Sequence, residues 1–432
     1  MSFPRISIEN LWENLTERTN KWGQIRENEH GIKRLALSYE DQMVRDWFVN
    51  ECITLGCEVI IDQIGNIFAI YRDVEAPSLA PIGVGSHLDT QPTGGRFDGI
   101  LGVLASLEIL RTIKFSGYKP YHPIAAIDWT NEEGARFPRM CMGSGVWSNQ
   151  ILLEEALSTR DKEQISAEEA LQRIGYEGDV PADYRVNKLA AHFELHIEQG
   201  PKLEDKLTLV GACDDAAIGV VEGVQAMRWY EICIKGKEGH AGTLSMDKRA
   251  DALVAASKLV LLIDHESKAI GAVATVGRLV PKTRAPNTIV GEVNLVFDCR
   301  AKVEAQLDYI ARKVREQINV FEVMGYNITL QKIWGHNSVS FNEECIRIVE
   351  EVCADKIDLP TLKMYSAAGH DSAMTANVAP TSMIFVPSRG GVSHNPEEFT
   401  SRCQCETGAQ ILLETVLRFD QNLKMRYKQG RV

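Results

Sequence analysis

The apolar positions of this chain alternate between a helical period and the short runs that are typical of buried strands. The first part favours helices over Ile8 to Thr19 and Tyr39 to Leu55, where apolar residues recur near a 3.6-residue period. Glu58 to Tyr71 predicts two strands joined by a turn at Gly65-Asn66. Apolar runs then precede and follow a helix that ends near Ile113. This alternation predicts an α/β fold with a mostly parallel central sheet covered by helices. In such folds the functional site lies at the carboxyl ends of the strands.

The pattern changes near Gly211, where strand-like segments begin to dominate. Strands are predicted at Gly219 to Lys235, Ala272 to Val280 and Ile289 to Arg300, and helices at Lys248 to His265 and Val303 to Val323. Such a set is typical of a small α+β domain with an antiparallel sheet. We therefore predict a first domain in two parts, residues 1–215 and 331–432, with a second domain inserted over residues 216–330.

Composition and charge narrow the classes of partner. The 432 residues are 44% hydrophobic and 25% charged, as in an ordinary globular protein, and the net charge is −12. An acidic chain without a long basic run is a poor match for nucleic acid or for an anionic membrane surface. No apolar run approaches the roughly 20 residues of a membrane span. The ten cysteines are scattered without a CxxC pair, and the amino terminus does not resemble a signal peptide, so we expect a cytoplasmic protein with free thiols.

The stretch GSHLDTQPTGGRFDGILG, from Gly85 to Gly102, holds the first candidate chemistry. His87 and Asp89 are two residues apart at the end of a predicted strand, so both side chains share one face. We expect Asp89 to accept the free imidazole N–H of His87 and to fix its tautomer. Asp98 comes just before the next helix. Each of these features also occurs as an ordinary surface histidine or a helix-capping aspartate.

Further candidates follow other predicted strands. Glu132 and Glu133 lie on a turn, where one carboxylate can bind a metal ion and the other can take a proton from water. A solvated acidic turn is the simpler alternative. His196 lies near the end of the strand that starts at His192, and His394 follows the short strand Ser382 to Val386. Three imidazoles and two carboxylates that converge on one sheet edge suit a pair of zinc or manganese ions bridged by an aspartate. The predicted ligands are His87, Asp98, Glu133, His196 and His394.

These residues lie in motifs through which the chain resembles the amidase branch of the M20 zinc-hydrolase family. The branch includes N-carbamoyl-amino-acid hydrolases, the fungal type of β-ureidopropionase and allantoate amidohydrolase. The similarity covers nearly the whole chain and rests on GSHLDTQPTGGRFDGILGVL, TNEEGARF, FELHIEQGPKLE, GHAG, APN followed by VFDCR, and AAGHDSAM to GVSHNPEEF. It implies a zinc-exopeptidase-like catalytic domain and an inserted ferredoxin-like domain that serves as a lid and in dimerisation.

The resemblance also implies roles for individual residues. His87, Asp98 and His196 would hold one divalent metal ion, and Asp98, Glu133 and His394 the other. Glu132 would act as general base and then general acid, and Asp89 would be a second catalytic residue. The remaining implied residues contact the substrate and are Gln199, His240, Asn287, Arg300, Gly369 and His370.

Three of these residues belong to the inserted domain, and the resemblance assigns them to the active site of the neighbouring subunit in a homodimer. His240 would stabilise the oxyanion, while Asn287 and Arg300 would hold the substrate carboxylate. From the residues alone, His240 also suits an ordinary turn, and Arg300 suits a simple ion pair with Asp298 on the same strand face.

The expected substrate is a small ureido acid. We favour N-carbamoyl-β-alanine, because GVQAMRW resembles the fungal β-alanine synthases, and place N-carbamoyl-L-α-amino acids second and allantoate third. The sequence departs from the common pattern of the family at two places. After Gly145, Val-Trp-Ser-Asn replaces an ending in Phe-Ala-Gly, and GHAGTLSM replaces the usual GHAGTTPM. A dipeptidase on the same scaffold and a non-catalytic binding protein are the remaining alternatives.

Overall fold

The computed structural model describes residues 3–25, 31–209, 216–282, 285–356 and 359–430. Contacts divide the chain into two compact units, Met1–Gly223 with Ser340–Val432, and Val224–Val339. The predicted change of pattern near Gly211 and the adjoining boundary at residue 215 fall in a segment, 210–215, that lies outside the described residues. The three-part domain division with its boundaries at 215 and 330 therefore stays a prediction.

The strands of both units are numbered along the chain. They are β1 (Glu58–Ile61), β2 (Ile67–Tyr71), β3 (Ile82–Ser86), β4 (Ile124–Asp128), β5 (Ala191–Ile197), β6 (Ile218–Val224), β7 (Ala226–Lys235), β8 (Gly239–His240), β9 (Val273–Pro281), β10 (Thr288–Ile289), β11 (Glu292–Ala301), β12 (Asn327–His336), β13 (Val339–Ser340), β14 (Thr361–Ser366) and β15 (Thr381–Val386).

The helices are numbered in the same way. They are α1 (Ile8–Glu13), α2 (Tyr39–Thr54), α3 (Ile100–Ser116), α4 (Met142–Trp147), α5 (Leu153–Ser158), α6 (Ala167–Ile174), α7 (Lys202–Leu209), α8 (Ala252–Ala269), α9 (Glu304–Val323), α10 (Glu343–Ala354), α11 (Asp371–Thr375) and α12 (Arg402–Lys428). A π-helical turn, Asn14–Arg18, continues α1, and short 3₁₀ turns lie at Met246–Lys248 and Arg389–Gly391. Within the described ranges, no helix is both long and apolar enough to cross a membrane.

The sheet of the first unit confirms the predicted α/β class. Its strand order is β1-β2-β4-β3-β5-β15-β6-β13, and β14 pairs with β6. The four central strands β4, β3, β5 and β15 run parallel to one another. Outside them, β2 pairs antiparallel with β4, β1 pairs antiparallel with β2, and β6 pairs antiparallel with β15. Every residue of the four central strands is buried. Burial on both faces is the consequence of helices such as α3 and α12 packing against a parallel sheet.

The second unit has an antiparallel sheet with the order β12-β7-β11-β9. Burial alternates strictly along β11, and the buried side chains pack against α8 and α9. The predicted single strand from Gly219 to Lys235 is wrong. Two strands, β6 and β7, flank Gln225, and β6 belongs to the other sheet. The run has apolar residues on both sides of Gln225 and contains no proline, so the local pattern did not mark the point at which the chain changes sheet.

A buried histidine in β5 predicts an acid-sensitive fold. Trp129 Nε1 donates a hydrogen bond of 3.3 Å to His192 Nε2, and burial lowers the pKa of His192 to about 3. Unfolded histidine has a pKa of about 6.5, so between these values the unfolded chain binds one more proton than the folded chain. Stability is therefore complete above pH 6.5 and falls by about 1.4 kcal/mol per pH unit as the pH decreases below it.

Urea unfolding from pH 7 to pH 4.5 measures this slope. The His192→Asn variant is expected to be less stable at pH 7. Its unfolding free energy should also depend less steeply on pH, by the equivalent of about one proton. Equal slopes for wild type and variant would contradict this assignment.

Candidate metal centre

The predicted metal ligands gather at the carboxyl ends of the central parallel strands. His87 follows β3, Glu133 follows β4, His196 lies near the end of β5, and His394 follows β15. Asp98 comes two residues before α3. The topology brings them together because parallel strands end at the same edge of a sheet.

Two groups of potential ligand atoms share Asp98. In the first group, Asp98 Oδ1 lies 3.1 Å from His196 Nε2 and 3.7 Å from His87 Nε2. In the second, His394 Nε2 lies 3.3 Å from Asp98 Oδ2 and 3.4 Å from Glu133 Oε2. Within each group the ligand atoms lie within 4.8 Å of one another. Asp98 therefore directs a different oxygen to each group, which is the arrangement of a bridging ligand.

The donor atoms fit divalent cations. Buried His196 Nε2 has no hydrogen-bond partner, although it lies 3.1 Å from Asp98 Oδ1 in an ion pair. A buried nitrogen that approaches a carboxylate without a well-formed hydrogen bond is expected where both atoms face a common ion. Imidazole and carboxylate ligands together suit zinc and manganese.

The carboxylates of the site shift the pKa values of the groups around them. Burial raises the pKa of Glu133 to about 7, and the neighbouring Asp98 adds to the shift. Burial lowers the pKa of His87 to about 4. The hydrogen bond to Asp98 raises the pKa of His394 to about 9, and the same carboxylate outweighs burial to raise that of His196 to about 9. Carboxylates held this closely in a buried place favour nearby positive charge, which protons on His196 and His394 or a divalent cation can supply.

Glu132 lies beside the first ligand group. Its side chain is 4% exposed, and Oε2 is 3.6 Å from His87 Nε2. The thiol of Cys141 donates to Glu132 Oε1 at 3.5 Å. Burial raises the pKa of Glu132 well above its usual value, and Asp371, Glu133 and other carboxylates add to this shift. Glu132 is therefore a carboxylate that holds a proton more readily than a surface glutamate, as a general base and acid requires.

The expected hydrogen bond between the Asp89 carboxylate and His87 is wrong. His87 Nδ1 instead contacts the backbone carbonyl of Asp89 at 2.9 Å, while the nearest carboxylate oxygen, Oδ1, is 3.8 Å away. The carboxylate turns towards the next strand end and accepts the backbone N–H groups of Glu132 and Glu133 at 3.1 and 3.3 Å. Asp89 thus fixes the tautomer of His87 through its main chain and the Glu132 turn through its side chain.

Three further predicted residues lie around the same site. Gln199 Nε2 donates to Asp98 Oδ2 at 2.8 Å. The buried ring of His370 packs edge-on against His196, with ring centroids 4.6 Å apart, and its Nε2 lies 2.9 Å from the Ser366 hydroxyl. Gly369 precedes it, and a Cβ there would lie 3.0 Å from the end of the Met140 side chain. Glu194, His196 and His370 form a third possible ligand group, but serine hydroxyls at 2.7 and 2.6 Å already occupy both oxygens of Glu194.

The other predicted substrate residues lie in the second unit. His240 in β8 is opposite Thr288 in β10, and the N–H of Ala241 donates to the Asn287 carbonyl at 2.9 Å. Gly242 N–H donates to His240 Nδ1 at 3.0 Å, so the neutral ring carries its hydrogen on Nε2. Arg300 makes an ion pair of 2.6 Å with Asp298, which is the alternative that the sequence left open.

Sequence reasoning missed the buried groups that hold the ligand segments. Arg34 donates to the Leu88 carbonyl at 2.8 Å, and Asp128 accepts the Leu88 N–H at 2.9 Å, so the residue between His87 and Asp89 is fixed from both sides. Arg34 is 54 positions away in the sequence and belongs to no motif. Glu398 accepts the backbone N–H of Asp98 at 3.1 Å. The NPEE run that contains it was visible, but nothing in the sequence distinguishes its two glutamates.

Comparison with known proteins agrees with this geometry. Residues 83–418 match peptidase family M20/M25/M40. The chain is 35% identical over 416 residues to an N-carbamoyl-L-amino-acid amidohydrolase of Rhizobium meliloti, with 96% of each chain covered. It is 32% identical to ureidoglycolate hydrolase of Arabidopsis thaliana over 90% of this chain and 82% of that protein. The crystal structure of a hydantoinase/carbamoylase family amidase from Burkholderia multivorans superposes with a TM-score of 0.88 at 39% identity, covering 96% of this chain and 98% of the other.

Family M20 implies the use of divalent metal, and the relatives named amidohydrolase and amidase support hydrolysis of C–N amide bonds. The site described above has the ligand groups and the buried carboxylate that such chemistry needs. The chain therefore belongs to peptidase family M20/M25/M40 and is an amidohydrolase of its N-carbamoyl-amino-acid hydrolase, or hydantoinase/carbamoylase, type.

Proposed function

We propose that this protein hydrolyses the ureido group of N-carbamoyl amino acids. The observation that carries the proposal is a pair of ligand groups that share Asp98, with Glu132 beside them. N-carbamoyl-L-α-amino acids are the first candidates, because the relative from Rhizobium meliloti is named for them and is similar over nearly its whole length. N-carbamoyl-β-alanine, which the sequence favoured, becomes the second candidate.

The proposed cofactor is a pair of zinc or manganese ions. His87, Asp98 and His196 would hold one ion, and Asp98, Glu133 and His394 the other. A divalent cation bound here would polarise the ureido oxygen and would lower the pKa of the attacking water.

The chain's own carboxylate moves the protons. Glu132 takes a proton from the attacking water as the ureido carbon becomes tetrahedral, and then gives it to the amino-acid nitrogen as the C–N bond breaks. The products are the amino acid and carbamate, which decomposes to carbon dioxide and ammonia. Asp89 supports this step because it fixes the backbone N–H groups of Glu132 and Glu133.

The remaining residues orient the substrate. His240 would donate a hydrogen bond from Nε2 to the developing oxyanion, since its Nδ1 accepts the Gly242 N–H. Asn287 and Arg300 would hold the substrate carboxylate, for which a planar guanidinium is well suited. Gln199 would contact the ureido group, and Gly369 and His370 would also contact the substrate.

Ammonia release from a panel of ureido acids tests the proposal. The panel contains N-carbamoyl-L-amino acids, N-carbamoyl-β-alanine, allantoate and ureidoglycolate, with protein reconstituted with zinc or manganese. We expect turnover of N-carbamoyl-L-α-amino acids to exceed the others. If the protein holds metal but releases ammonia from none of them, the proposal is wrong, and dipeptides become the next substrates to test.

We also propose that the protein is a homodimer in which the second unit contributes to the neighbouring site. Strand β9 is at one edge of the four-stranded sheet, and its Val273 and Val280 are 57% and 49% exposed. Leu261 on α8 is 68% exposed. A long apolar edge strand pairs readily with a second copy of itself, and a protein that stays in solution normally covers such an edge.

The dimer proposal predicts that charge on this edge separates the subunits. The Val280→Lys variant is expected to dissociate at concentrations at least about tenfold higher than wild type, because pairing would bury the new charge. Light scattering coupled to size exclusion measures the mass, and Val320→Lys, at an exposed position of α9, is the matched control. A monomeric wild type would refute the dimer, and a dimeric Val280→Lys would remove β9 from its interface.

A further inference from the structure

Glu398 joins two segments of the chain that both carry candidate metal ligands. The side chain is 3% exposed. Its Oε1 accepts the backbone N–H groups of Phe97 and Asp98 at 3.0 and 3.1 Å. Its Oε2 lies 3.2 Å from the hydroxyl of Ser393. One buried carboxylate therefore contacts both the segment that precedes α3 and the loop that follows β15.

The contacts of Glu398 lie directly beside the shared ligand. Ser393 Oγ is also 2.9 Å from Asp98 Oδ2, and a hydroxyl has only one hydrogen, so the two carboxylates share it. On the far side, Gly95 packs so closely that a Cβ there would lie 2.3 Å from Glu398 Oε1. The carboxylate is thus fixed by neighbours on several sides and has little freedom to move.

Glu398 belongs to none of the possible ligand groups found among the described residues. It instead contacts Asp98 and Ser393, the residue before His394, and His394 Nε2 is 3.3 Å from Asp98 Oδ2. Metal ligands must be held within about 0.5 Å of their working positions, and residues that orient ligands affect metal affinity by about 10- to 100-fold.

We propose that Glu398 is a positioning residue that sets the spacing between Asp98 and His394, so that these two residues and Glu133 bind a divalent cation. This inference rests on the metal centre of the proposed function. It predicts that loss of the Glu398 carboxylate weakens the cation site that contains His394 more than the site that contains His87 and His196.

Calorimetric titration of the metal-stripped full-length protein with Mn²⁺ tests this prediction. Wild type is expected to show two classes of site. In Glu398→Ala one class should weaken by about 10- to 100-fold, while the other changes by less than about threefold. Glu398→Gln has the same shape and keeps an oxygen for the two backbone N–H groups, so its loss should be smaller. Glu397→Gln, at the exposed neighbouring position, should match wild type.

The possible outcomes separate this inference from the proposed function. Two unchanged sites in folded Glu398→Ala and Glu398→Gln would overturn the inference and leave the enzyme assignment intact. Equal weakening of both sites in Glu398→Gln would also overturn it. A wild type that binds no divalent cation would overturn both ideas, whereas a wild type with two sites, the expected split in the variants and no turnover of ureido acids would overturn only the proposed substrate.

Discussion

Turnover by the Glu132→Gln variant is expected to fall by about 100- to 10,000-fold, the range over which a positioned general base acts. Glutamine has the same shape as glutamate but cannot take a proton from water. Glu132 is buried, Oε2 lies 3.6 Å from His87 Nε2, and burial together with Asp371 and Glu133 raises its pKa. The variant therefore removes a carboxylate that readily takes up a proton and lies beside the candidate cation ligands.

Metal content distinguishes loss of the base from loss of a ligand. Glu132→Gln should keep the cations of wild type, because Glu132 is in neither of the two ligand groups that share Asp98. The matched variant Glu133→Gln removes a member of the second group, so it should lose metal as well as turnover. Turnover and metal stoichiometry are measured on the same samples. A Glu132→Gln enzyme that keeps more than about a tenth of wild-type turnover would exclude Glu132 as the base.

The ends of the central strands could be predicted from sequence because their pattern is local. Apolar runs shortly before His87 and Glu133, and the strand-like segment that contains His196, predict strands. Parallel strands end at one sheet edge whatever the details of packing. The fold therefore brings together the five predicted ligands, which lie far apart in the sequence. Their roles in metal binding remain proposals.

The hydrogen bonds around those ligands could not be predicted in the same way. Alternation places His87 and Asp89 on one face, but it does not determine whether a carboxylate or a carbonyl meets the imidazole. The choice depends on the Glu132 turn, whose N–H groups attract the Asp89 carboxylate across 43 positions of sequence. Long-range contacts of this kind carry no periodic signal.

The buried arginines under the site show the same limit. Arg45 forms ion pairs with Asp41 at 2.8 Å and with Asp128 at 3.2 Å, and all three side chains are fully buried. In a sequence, charged residues in a helix pattern usually indicate a solvated face, and nothing local marks these as exceptions. Removing one partner of such a buried network leaves an uncompensated buried charge, so the network is sensitive to the loss of any single member.

Loss of both cations is the expected result of Asp98→Asn. Oδ1 faces His196 and His87, and Oδ2 faces His394, so one substitution changes both ligand groups. Asparagine is neutral and must turn its NH₂ group towards one of these sides. On the Oδ2 side, the NH₂ group would face another donor, Gln199 Nε2, which lies 2.8 Å from the wild-type carboxylate. We expect cation affinity to fall by more than the roughly 100-fold seen when only an orienting residue is lost, and turnover to disappear.

Thermal unfolding with and without added metal measures this loss independently of activity. A cation that binds only the folded chain stabilises it by about 2.7 kcal/mol at a concentration 100 times its dissociation constant. Wild type should gain this stability on adding Mn²⁺, and Asp98→Asn should gain almost none. Asp73→Asn, which removes a carboxylate that is 64% exposed, should respond as wild type does. If Asp98→Asn still binds two cations and gains stability from them, Asp98 does not bridge the sites, and each cation must be held without it.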